Sequence, residues 1–124
     1  MLMLPPAVTI YLCDAPVDMR CSFDGLSAIV RNNLGLDPLT GHLFLFLSKR
    51  GDRAKLLFWD KDGYALFYKR LERGRFHRPR VATAQGGKGT LTLDAGEMTL
   101  LLSGIDLANA RRRKRYSLPL TQGI

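Results

Sequence analysis

Asp60 and Asp62 stand two residues apart in "WDKDGY". Paired carboxylates of that kind can clamp a phosphoryl group through divalent ions, as nuclease and transposase sites do. The same letters also spell a tight hairpin turn, in which Asp hydrogen-bonds its own backbone and Gly63 supplies a positive φ. The turn explains both residues without chemistry, so it is the reading carried forward. Asp18, Asp24, Asp52 and Glu72 fall likewise at turns, caps or charge-paired surfaces. "GGKGT" at 86–90 fails the phosphate-loop pattern twice, because Ala82 holds the first glycine's place and Gly89 follows Lys88 where Ser or Thr belongs. His42, His77, Cys13 and Cys21 lack any zinc-ligand spacing. None of Ser22, Ser27, Ser48, Ser103 and Ser117 sits in a nucleophile elbow. The expectation is no catalytic residue, no metal and no cofactor.

Cations are the more informative residues. The chain of 124 residues carries 19 Lys and Arg against 11 Asp and Glu, a net charge of +8. Residues 1–48 hold two basic and four acidic side chains, 49–88 hold twelve and four, and 89–124 hold five and three. The surplus is therefore concentrated in the middle, at Lys49, Arg50, Arg53, Lys69, Arg70, Arg73, Arg75, Arg78 and Arg80. A second knot follows at Arg111, Arg112, Arg113, Lys114 and Arg115. Such a distribution favours a polyanionic partner. Arg70 and Arg73 have Glu72 and Asp52 within reach as surface partners, but twelve cations cannot be neutralised by four anions.

The elements that must position these charges follow from periodicity. "AVTIYL" (7–12) reads as a strand. Phe23, Leu26, Ile29, Val30 and Leu34 recur at helical spacing, with Ser22 or Asp18 as N-cap and Gly35 as stop. "HLFLFLS" (42–48), "AKLLFWD" (54–60) and "YALFYKRL" (64–71) predict three more strands in an antiparallel meander. Residues 70–89 lose apolar periodicity and read as a mobile, glycine-rich and cationic segment. Asp94 and Glu97 form a capping box and Leu93 staples onto Met98, opening a second helix that runs through "TLLLSGIDL". The expected fold is α+β: a small antiparallel meander of about four strands packed with two helices, one domain over 1–107 and a basic, disordered tail over 108–124. The aromatics Phe58, Trp59, Tyr64, Phe67 and Tyr68 could stack on unpaired bases. Their interleaving with leucines makes most of them core, with Trp59 or Tyr68 left at a rim.

Size and cysteine usage fit a chain that builds its core without disulfides, in the cytoplasm. The apolar opening "MLMLPPAVTIYLC" lacks a basic flank, contains Pro5 and Pro6, and is too short to span a bilayer, so no membrane partner is expected.

Three stretches, "VDMRCSFDGLSAIV" (17–30), "GHLFLFLSKRGDRAKLLFWDKDGYALFYKRLERGRF" (41–76) and "LLLSGIDL" (100–107), together resemble the TnpB-type, or Orf2-like, accessory protein of the bacterial insertion-sequence family 66. The matching positions are Asp18, Met19, Arg20, Asp24, Gly25 and Leu26, then Gly51, Asp52, Arg53, Trp59, Asp60, Asp62, Gly63, Tyr68, Lys69, Arg70 and Leu71. Two positions depart from the family pattern: Ser22 stands where Gly is usual, and His77 and Arg78 precede Pro79 where an aromatic residue and Pro commonly close the block. The resemblance implies a small protein encoded beside a larger transposase that carries the catalytic acids, and required with it for transposition.

The expected function is therefore a non-catalytic accessory role, binding DNA largely without sequence preference, the transposase of the same element, or both. The alternatives are a pure protein adaptor and, behind it, a metal-dependent nuclease. Because Phe44, Phe46, Phe58 and Phe67 make the strands apolar on both faces, one helix layer is not expected to cover them. Self-association or docking on the transposase follows from that.

Overall fold

The computed structural model describes residues 8–77 and 90–104, and these form seven elements, six of them where the sequence pattern places them. In chain order they are β1 (Ile10–Cys13), α1 (Phe23–Asn32), β2 (Leu43–Leu47), β3 (Arg53–Asp60), β4 (Gly63–Arg70), β5 (Thr90–Leu93) and α2 (Ala95–Leu102). The sheet has the order β4-β3-β2-β1-β5. β2, β3 and β4 are the antiparallel meander expected from the sequence. β1 lies parallel to β2, with α1 as the crossover between them, and antiparallel to β5.

The fifth strand is a correction. "TLTL" at 90–93 is too short to show alternation beside a glycine-rich stretch, yet Leu91 and Leu93 bury one face of it against β1. The fold class stands as α+β, with five strands rather than four.

The second correction concerns coverage. Period-two alternation sends Leu43, Leu45 and Leu47 to one face of β2 and Phe44 and Phe46 to the other. The first set packs with Leu56, Leu91, Leu93, Met98 and Leu101, beneath α2. The second packs with Leu57, Leu26 and Val30, beneath α1. One helix thus covers each face, and every residue of β2 is buried. What remains uncovered is the outer strand β4, where Phe67 and Tyr68 are 44% and 47% exposed.

α1 carries Ser22 at its N-cap without a side-chain cap bond, and Phe23, expected on the buried stripe, is exposed. Gly25 is set against Cys21: a Cβ there would come within 3.1 Å of the Cys21 Cβ. α2 begins with the full capping box, Glu97 N–H donating to Asp94 Oδ1 at 2.7 Å and Asp94 N–H to Glu97 Oε1 at 2.9 Å. It ends at Leu102, four residues into the run expected to extend it, with Ser103 as C-cap. Asp94→Ala should cost about 1 kcal/mol of stability, read as a lowered denaturation midpoint; an unchanged midpoint would show that the box does not hold this helix. Among the described residues no helix is long and apolar enough to cross a membrane.

Candidate nucleic-acid interface

Two basic stretches separated by some twenty residues in sequence meet at one end of the sheet. Register brings Arg53, the first residue of β3, opposite Arg70, the last of β4. The chain then folds back along the β2–β3 turn, with Leu71 N–H donating to the Asp52 carbonyl at 2.7 Å and Phe76 N–H to the Gly51 carbonyl at 2.6 Å. Lys49, Arg50, Arg73 and Arg75 are exposed around this end and Arg53 is half-buried.

The turn itself is built on Ser48. Its buried Oγ accepts from Gly51 N–H and Arg53 N–H, both at 3.1 Å, and donates to Asp52 Oδ1 at 3.4 Å. Gly51 has φ +83°, a left-handed conformation that a side chain would resist. Arg75 runs close beside it, its Cβ 3.5 Å from where a Gly51 Cβ would stand.

Residues 71–77 are therefore not the mobile start of a loop, as loss of periodicity suggested. Phe76 is 5% exposed and belongs to the core beneath α2, and Leu71 packs against the same cluster. A lone aromatic among cations gives no periodic signal. Its anchoring role appears only when the turn it docks against is in place.

Lys69 leaves the cationic set. It lies on the α2 face of β4 and its Nζ donates to the Leu102 carbonyl at 2.8 Å, where a cation complements the helix C-terminus. Arg78, Arg80 and Arg111, Arg112, Arg113, Lys114 and Arg115 lie outside the described residues.

The carboxylates fall in two places. Asp60 and Asp62 are exposed at the β3–β4 turn, at the far end of the strand from Arg53, roughly 23 Å away at the rise of an extended chain. The positive φ of that turn sits on Lys61 (61°) rather than Gly63, with Asp62 N–H donating to the Asp60 carbonyl at 2.6 Å. Asp18 and Asp52 line a cleft of about 460 Å3 with Pro16, Val17, Met19, Ser48, Lys49, Arg50 and Arg53. Both are engaged: Asp52 by Ser48, and Asp18 by Arg20, whose Nη2 lies 2.7 Å from Oδ2. The hydrogen bonds from the Arg20 side chain and backbone hold the Asp18 carboxyl down at about 2. No group of three metal-ligating side chains occurs among the described residues. His42 is occupied structurally, its Nδ1 accepting from Thr9 N–H at 3.0 Å.

Lys55 is the residue that sequence reading passed over. It is 6% exposed on the α1 face of β3, and its Nζ donates to the carbonyls of Met19 (2.8 Å) and Cys21 (2.7 Å) while lying 4.6 Å from the Tyr68 ring centre. Its signal was a lysine inside a strand apolar on both faces. Through it the motif around Asp18, Met19 and Arg20 is tied to the sheet, with Asp24 in the first turn of α1. Lys55→Met keeps the volume but strands two carbonyls. Since the 18–21 loop can turn outward to water, the expected loss is about 2 kcal/mol by denaturant titration, and an unaltered midpoint would remove Lys55 as the tie. Trp59 and Tyr64 pair edge to face at 5.2 Å, half-buried, so Tyr68 and Phe67 are the aromatics that the rim exposes.

A family description, IS66 Orf2 like protein, matches residues 8–112. The chain belongs to the IS66 Orf2-like family. Two relatives from Sinorhizobium fredii (strain NBRC 101917 / NGR234) support this. "Uncharacterized protein y4hO" is 40% identical over 106 residues, covering 84% of this chain and 88% of the relative. "Uncharacterized protein y4jC" is 36% identical over 104 residues, covering 84% and 85%. No solved structure matches the chain. The IS66 Orf2-like family is one of accessory proteins of insertion-sequence transposition.

Proposed function

We propose that this IS66 Orf2-like chain is a non-catalytic accessory protein that grips DNA phosphates, largely without regard to sequence, at the end of the sheet where β2 turns into β3 and β4 exits, and that it brings the transposase of the same element to that DNA. The observation that carries this is convergence. Lys49, Arg50, Arg53, Arg70, Arg73 and Arg75 come from two separated stretches to one edge of the fold, facing few carboxylates. Clustered Lys and Arg bind the phosphate backbone by releasing its counterions. The acidic turn of Asp60 and Asp62 lies at the other end of β3, away from where phosphates would sit, which argues against a nuclease.

A pure adaptor is the second reading, favoured by β4. It is the outer strand, and Phe67 and Tyr68 stand exposed on it, as a partner-binding or self-pairing edge would require. Co-purification with the transposase, with and without element-end DNA, separates the two. A DNA binder retains labelled DNA by itself and more with transposase. An adaptor retains transposase alone, and that result would overturn the phosphate grip.

A further inference from the structure

Four side chains form a square on the α1 face at the basic end of the sheet. Cross-strand register sets Arg53 opposite Arg70 and, one pleat along, Lys55 opposite Tyr68. Two guanidiniums directly opposed on neighbouring strands repel each other and call for an anion between them. Glu72 supplies part of this, its Oε2 lying 3.1 Å from the Nε of Arg70 and 3.1 Å from its Nη2. That pair is exposed and worth little. Arg53 meets no carboxylate among the described residues; its Nη1 donates to the Tyr68 Oη at 3.2 Å.

Tyr68 is the other half of the observation. Its ring is held from within by the Lys55 ammonium at 4.6 Å and at its hydroxyl by Arg53, yet the residue is 47% exposed. An exposed aromatic fixed at both of these points has lost its rotamer freedom before any ligand arrives. Arg53, Tyr68, Arg70 and Glu72 line a depression of about 290 Å3, and Arg53 also lines the larger cleft with Lys49 and Arg50. Arg53 thus lines both hollows.

The geometry points to a binding site for an unpaired nucleic-acid strand, in which one base stacks on the outer face of Tyr68 and the flanking phosphates lie on Arg53 and Arg70, the strand continuing toward Lys49 and Arg50. This deepens the phosphate-binding reading and rests on it. A duplex keeps its bases stacked on one another and offers this ring only phosphates. A single strand offers both partners, so the site should favour melted or single-stranded ends.

The test is equilibrium binding of the full-length chain to a short single-stranded oligonucleotide carrying one fluorescent adenine analogue, alongside a duplex of the same sequence. Expected for wild type is quenching of the analogue on binding to the single strand. Tyr68→Leu should weaken single-strand binding about five- to a hundredfold and abolish the quenching, with a much smaller change in duplex affinity, because there Arg53 loses only its hydrogen bond to the Tyr68 hydroxyl. Tyr68→Phe keeps the ring and should retain the quenching, which guards against a merely structural effect. If Tyr68→Leu binds the single strand as wild type does, stacking is overturned while phosphate binding stands. If wild type binds neither form, the phosphate reading falls as well.

Discussion

Replacing Phe76 by Ala should lower the stability of the domain by about 3–5 kcal/mol, the usual cost of removing a buried aromatic and leaving its cavity. Phe76 is 5% exposed and packs among the residues beneath α2. Against a total stability on the order of 5–15 kcal/mol, that loss is a large part of what holds the chain folded. The effect has a functional side, because Phe76 pins the segment carrying Arg73 and Arg75 against the Gly51 turn. Phe76→Leu, which keeps an apolar side chain in the site, should cost less and leave the segment docked. Chemical denaturation followed by circular dichroism measures both. A loss under about 1 kcal/mol for the alanine variant would mean the segment is not anchored by this ring.

Much of this fold could be read from the chain. Strict alternation in "LFLFL" and the leucines of β3 placed the central strands. The Asp94–Glu97 spacing located the start of α2, and the apolar stripe from Leu26 to Val30 located α1. The unread parts share one physical cause, dependence on contacts between distant segments. β5 has four residues and is a strand because β1 offers it an edge. Phe76 is core because the β2–β3 turn leaves a place for it. Lys55 is buried because two loop carbonyls and a tyrosine ring receive it.

The candidate site shows the same division. Charge counting alone found the cationic residues, since clustering of Lys and Arg is a property of sequence. It could not sort them. Lys69 and Arg70 are neighbours, yet period two sends one to the end of α2 and the other to the face bearing Arg53. Nor could it place the aspartates: Asp52 lies within the basic end, in the turn before β3, and Asp60 at the far end of β3.

Converting Arg50, Arg73 and Arg75 together to Ala should leave the fold intact and flatten the salt dependence of DNA binding. All three are exposed, come from the two stretches that the sheet brings together, and form no ion pair among the described residues. Exposed substitutions of this kind usually alter stability by no more than about 0.5 kcal/mol. Each phosphate contact on duplex DNA contributes about 0.9 to the slope of log affinity against log salt, so losing three should reduce the slope by up to roughly 2.7. Across a fourfold change in salt that amounts to a change of about fortyfold in the ratio of wild-type to variant affinity, with the largest deficit at low salt. Removing the cations from Arg111 to Arg115 should add its own reduction, independent of the first, if the two groups hold separate phosphates. Fluorescence anisotropy with a random-sequence duplex over a salt series reads the slope directly. A folded triple variant with the wild-type slope would make these arginines a solvated surface, and the exposed edge of β4 would then be left as the working face of the protein.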